Sequence, residues 1–97
     1  LERPLLKKQL AENDLLLPLA EAYFQTNKND EAQALFQQLV SRDENNGQAL
    51  FRLAEIELRR GNSSQALNQF QQLAEKGKDP LWKKLAKEEA AILGLRR

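Results

Sequence analysis

The chain has 97 residues, 41% of them hydrophobic and 30% charged, the proportions of an ordinary globular domain with one modest core. Fifteen Lys and Arg against fourteen Asp and Glu leave a net charge of +1, which offers polyanions such as DNA little long-range attraction. Cys and His are both absent, which removes disulfides, thiolate metal sites, the commonest general base and the commonest metal ligand together.

No apolar run approaches the roughly 18 to 20 residues of a membrane span, and Leu1-Glu2-Arg3-Pro4 lacks the pattern of a signal peptide. With no Met even at position 1, the chain reads as a mature product or a segment of a larger protein.

Leu5, Leu6 and Leu10 after Pro4 predict a short helix within residues 1–12. Leu16, Leu19, Ala20 and Tyr23 then form one helical stripe between Leu15 and Phe24, which the turn formers Asn27-Lys28-Asn29-Asp30 interrupt. Pro18 would start that helix late or kink it. Ala32, Leu35, Phe36 and Leu39 predict a second helix from Glu31 to Ser41, with Asn29 as N-cap and Asp30 and Glu31 in the dipole-favoured first turn. The two helices form a hairpin.

Asp43-Glu44-Asn45-Asn46-Gly47 breaks the pattern, and Leu50, Leu53 and Ala54 predict a third helix over Ala49 to Arg60. Gly61 ends it, because Gly takes the left-handed C-cap conformation cheaply. Ser63 is the expected N-cap of a fourth helix that carries Ala66, Leu67, Phe70, Leu73 and Ala74 to Lys76-Gly77. Asp79-Pro80 opens a fifth, with Trp82, Leu85, Ala86 and Leu93 on one face before Gly94. No segment alternates with period two over strand length, so the fold class is all-α.

The positions repeat. Leu16, Leu19, Ala20, Ala32, Phe36 and Leu39 are echoed in order, at one constant spacing, by Leu50, Leu53, Ala54, Ala66, Phe70 and Leu73, although residues 13–46 and 47–80 share only nine identities. Trp82-x-x-Leu85-Ala86 repeats the pattern slightly ahead of that spacing, which predicts a shorter connection before it. On these residues the chain resembles the tetratricopeptide repeat family, whose unit runs W-x-x-L-[GA]-x-x-Y and then A-x-x-x-F; Glu57 departs from it where Tyr23 conforms.

The resemblance implies an α-solenoid of antiparallel helix hairpins wound as a right-handed superhelix. Residues 1–12 would be an N-terminal helix or the end of a preceding unit, 13–46 the first repeat, and 47–78 the second. Residues 79–94 would be the first helix of a third repeat, a cap solvated by Lys83, Lys84, Lys87 and Glu88. Trp82 occupies the family's own Trp position and reads as core, and Gln37-Gln38 and Gln71-Gln72 read as solvated faces.

By the same resemblance, the first helices line a concave groove and the chain is a protein-interaction or scaffold module for a partner peptide or protein. The residues this places in the groove are Leu17, Glu21, Phe24 and Gln25, then Phe51, Arg52, Glu55, Leu58 and Arg59, with Lys83 and Lys87 extending it. Leu17, Phe24, Phe51 and Leu58 are apolar where the repeat core does not obviously need them, which suits an apolar or amphipathic peptide; the competing reading packs them within the chain. A carboxylate clamp is excluded, because Leu17 and Glu21 stand where the family's clamp has Lys and Asn.

Self-association through Leu5, Leu6 and Leu10 into a homodimer is the alternative, since about three repeats are usually needed for a stable stack. RNA binding, as in related helical repeats that read bases, is a third and weaker reading. Ser41, Ser63 and Ser64 have no His to activate them, so no enzymatic activity, cofactor or metal is expected. The Leu, Ala and Gln style of the repeats resembles bacterial members of the family, which places the chain in the cell envelope or the cytoplasm.

Overall fold

The computed structural model describes residues 4–95, with side chains described from residue 15 onward. The described residues form five helices: α1 (Pro4–Gln25), α2 (Asn29–Arg42), α3 (Gly47–Arg59), α4 (Ser63–Lys76) and α5 (Pro80–Leu95). Each packs mainly on its neighbours in sequence, while α3 also touches α1 and α5. The Cα radius of gyration is 14.8 Å, above the roughly 12.5 Å of a compact domain of this length, as expected of a stack rather than a ball.

Two apolar clusters hold the stack. Ala20, Phe24, Ala32, Phe36, Leu39, Ala49 and Ile56 form the first, which joins α1 and α2 to one side of α3. Phe51, Ala54, Ala66, Leu67, Phe70, Leu73, Ala86 and Leu93 form the second, which joins the rest of α3 to α4 and α5. Ala20, Ala32, Ala54 and Ala66 are fully buried or nearly so, and their small side chains let paired helices approach closely. Phe36 and Phe70 then fill the remaining space at 0% exposure.

The repeat period is kept without a slip in the turns. α2 and α4 begin and end at equivalent positions, and so do the ends of α1 and α3. Asn27 (φ 63°) and Gly61 (φ 86°) are the two left-handed residues between paired helices. Both turns close with the same pair of bonds: Lys28 N–H donates to the Tyr23 carbonyl at 2.8 Å and Asn27 N–H to Phe24 at 3.2 Å, matched by Asn62 to Glu57 at 2.9 Å and Gly61 to Leu58 at 3.0 Å.

The helix starts differ from the sequence reading by one residue. Lys28 and Asn62, not Asn29 and Ser63, are the N-caps of α2 and α4, and neither offers a side-chain cap. Asn29 and Asn62 are engaged elsewhere, Asn29 as acceptor from Arg59 and Asn62 as donor to Glu57. Asn46 does cap α3, accepting from Ala49 N–H at 3.0 Å, and Asp79 caps α5 through Leu81 N–H at 3.0 Å.

Two further expectations are corrected. The short helix within residues 1–12 and the helix at Leu15 are one helix, α1, with Pro18 inside it on an exposed face where water reaches the carbonyl freed by its missing N–H. The side chains of Leu5, Leu6 and Leu10 lie outside the described residues.

The second correction concerns α5, whose contacts keep the full repeat register rather than the shortened one. Ala90 lines a cleft with Ala74 of α4, as their counterparts in the preceding repeat, Ile56 and Val40, share the first cluster. Trp82 is core, as expected, but it packs backward onto α3: its ring lies 5.4 Å from that of Phe51, and a Cβ added at Gly47 would stand 2.8 Å from the Trp82 Cβ. The faces of α5 that correspond to Leu50 and Ala54 carry exposed Lys84 and Glu88, the polar outer side of a cap.

Gly61→Ala isolates the turn requirement, because nothing lies within 4 Å of the added Cβ and the penalty is purely that of φ 86°. Urea unfolding should show a loss of about 1 to 2 kcal/mol, and an unchanged midpoint would contradict the turn as drawn.

Candidate functional site

α1, α3 and α5 are the first helices of their steps, and Glu21, Glu55 and Glu89 recur on them at the repeat period. Arg52 ties the first two carboxylates together: Nε donates to Glu21 Oε2 at 2.7 Å, and Nη1 donates to Glu55 Oε1. Gln48 Nε2 donates to the same Glu21 oxygen at 3.1 Å. In the next step the counterpart of Arg52 is Ala86, so Glu89 acts on Glu55 as a like charge.

The two ends of the Arg52–Glu55 pair respond to burial differently. Burial disfavours the charged form of Arg52, but hydrogen bonds and charge from both Glu21 and Glu55 outweigh it and leave the guanidinium held more firmly protonated than usual. Burial pushes the Glu55 carboxyl above its ordinary value; the Arg52 hydrogen bond and charge oppose this, and Glu89 adds repulsion. Glu55 shares its one close cation with Glu21, whereas Arg52 has two anions.

Beside this network, Phe24 is enclosed by cations. The Arg59 and Arg52 guanidinium carbons lie 3.6 and 4.6 Å from its ring centroid, and Phe36 meets it edge-on at 6.5 Å. Arg59 also donates to the Phe24 carbonyl at 2.7 Å and to Asn29 Oδ1 at 3.1 Å, which locks the turn after α1 to the end of α3. Arg60 reaches Asp30 and Gln33 of α2 from the same end.

These contacts decide between the two readings of the apolar groove positions. Phe24 and Phe51 are only 4% and 6% exposed, and Leu17 and Leu58 are half-buried against the two clusters, so the sequence expectation that the core does not need them is corrected. Phe51 is covered by Phe70 at 5.0 Å and by Trp82. Gln25 and Arg59 are exposed, while Glu21, Arg52 and Glu55 are half-buried.

Lys83 and Lys87 do not join the others. A Cβ at Gly77 would meet Lys83 Cγ at 2.9 Å, and Lys87 lines a cleft with Gln71, Ala74 and Glu75, so both lysines lie against α4. The full repeat register explains this, because it makes them counterparts of Ala49 and Leu53 rather than of Phe51 and Glu55.

The structure exposes a feature that the sequence reading passed over. Leu81 and Ile92 of α5 are exposed, and with half-buried Leu85 they occupy the register positions of Gly47, Leu58 and Phe51. Their i, i+4, i+11 spacing is a helical stripe visible in sequence. Among the described residues no group of His, Cys, Asp and Glu is placed to hold a metal ion, and no helix is long and apolar enough to cross a membrane.

A family model described as tetratricopeptide repeat matches residues 23–88, more than half of the chain. Comparison with curated proteins and with solved structures finds no match.

The raised pKa of Glu55 sets a sign. A carboxyl bound more tightly to its proton in the folded state stabilises the fold below the ordinary carboxylate range, and that contribution is lost as pH rises through the raised value. Glu55→Gln keeps a neutral hydrogen-bonding group there. Between about pH 4 and pH 7 its urea midpoint should therefore gain on that of the parent; a parent that gains on the variant over this range would contradict the assignment.

Proposed function

Because the chain belongs to the tetratricopeptide repeat family, whose repeats generally mediate protein–protein interaction, we propose that it binds a partner protein or peptide along the side formed by α1, α3 and α5. The observation that carries this reading is the apolar stripe of Leu81 and Ile92. In the preceding step the counterpart positions are covered, Phe51 by the following helix, whereas on α5 large aliphatic side chains remain open to solvent. Exposed apolar surface of this kind marks a contact.

Glu89 and Glu55 border the stripe with incompletely compensated charge, so the partner segment pairs an apolar face with basic residues. Arg52 is already held by Glu21 and Glu55 and serves to keep α1 and α3 in fixed relation. A chain with no His and no Cys has no conventional nucleophile–base pair, and a non-catalytic role fits the family's usual one. The net charge of +1 favours a protein partner over a nucleic acid.

A second reading rests on the other end of the stack. Leu15 and Leu19 are 64% and 46% exposed, yet their counterparts in the second repeat, Ala49 and Leu53, pack on the first cluster. A second copy of the chain covering that end would give a homodimer.

Site-specific photo-crosslinking in the native host tests the first reading. A photoreactive residue at position 92 should trap a discrete partner adduct, and the same residue at the exposed position 84 should not; equal adducts at both, or none at 92, would overturn it. Light scattering over a range of concentrations tests the second. A dimer that Leu15→Lys with Leu19→Lys reduces to monomer supports it, and a strictly monomeric parent removes it.

A further inference from the structure

The largest cleft among those described lies away from the carboxylate network, between α3 and α4 below the turn after α2. It encloses about 330 Å³, at the small end of ligand pockets, with Leu50, Leu53 and Leu73 as apolar walls. Its rim residues Glu44, Asn45, Gln72 and Lys76 are exposed. Inside stands Gln69, whose Oε1 is buried without a hydrogen-bond partner. A buried acceptor in that condition calls for a donor, and leaving it unmet is unfavourable.

The first repeat supplies an internal comparison. Its equivalent cleft, of about 250 Å³, is lined by Leu16, Leu19, Gln38 and Arg42, the counterparts of Leu50, Leu53, Gln72 and Lys76 in the second repeat. The first-repeat counterpart of Gln69 is Leu35, which packs into the first cluster. The two repeats therefore build the same cleft, and only the second places an amide where the first has an aliphatic side chain. The fold does not need a polar group at that position.

From this we propose that the cleft receives the indole of a tryptophan carried by a partner segment. Three aliphatic walls suit a flat apolar ring, the single ring N–H supplies the donor that Gln69 Oε1 lacks, and the exposed rim lets the ring enter while its backbone stays outside beside Glu44 and Lys76. The site shares no residue with the side formed by Glu21, Arg52 and Glu55, so its failure would leave the proposed function standing.

The test uses N-acetyl-tryptophanamide, indole and 1-methylindole, titrated into the whole chain and followed by amide chemical shifts. Saturable shifts confined to Leu50, Leu53, Gln69 and Leu73 are expected, with a dissociation constant on the order of 1 mM, typical of so few atoms. Removing the donor should weaken binding, so 1-methylindole should bind several-fold less tightly than indole. Gln69→Leu, which installs the residue that the first repeat already carries, should abolish that difference while the chain stays folded. Shifts that do not saturate, or equal affinities for indole and 1-methylindole in the parent, would overturn the proposal.

Discussion

The stack depends on α3 serving two cores at once. Ala49 and Ile56 close the first cluster, while Phe51 and Ala54, pointing the other way around the helix, close the second. A helix that is apolar around most of its girth is stable only when covered on several sides, and here α1, α2, α4 and α5 all touch it. Its remaining polar positions are no freer. Gln48, Arg52 and Arg59 each cross to α1 or the turn that follows it, and Arg60 crosses to α2. Neither hairpin could bury its inner face alone, which is why the repeats form a stack rather than two independent units.

This arrangement has a functional consequence. The side chains that line α1 and α3 are largely committed to holding the stack, with Phe24 under two guanidiniums and Arg52 between two carboxylates. The α5 end is different: Leu81 and Ile92 have no cover, and Glu89 has Ala86 where the step before has Arg52. A rigid middle with an open end is the form in which a short solenoid offers a partner an apolar stripe edged by charge.

Much of this was legible in sequence, and the reasons are physical. The paired alanines and Phe36 and Phe70 recur because helix crossings demand small and large residues at fixed places, so their period survives even where few residues are identical. The equivalence of Asn27 with Gly61 was hidden because two different residue types satisfy one left-handed turn. Trp82-x-x-Leu85-Ala86 imitates the motif too early in the chain, and only the contact of Trp82 with Gly47 and Phe51 shows that α5 keeps the full repeat register. Lys83 and Lys87 were misplaced by that same shift. Phe24 and Phe51 read as free because nothing local in a sequence tells which arginine of the next repeat, or which ring of the next helix, will lie across an aromatic side chain. The exchange of Leu35 for Gln69 was in plain view, but its meaning required the cleft around it.

Native-state amide hydrogen exchange across the five helices tests the hub most directly. If α3 holds the stack, the slowest amides should fall in α3 around Phe51 to Ile56 and in the facing turns of α2 and α4, with α5 and the first turns of α1 exchanging sooner. Maximal protection in α1 or α5, with α3 opening first, would contradict the account.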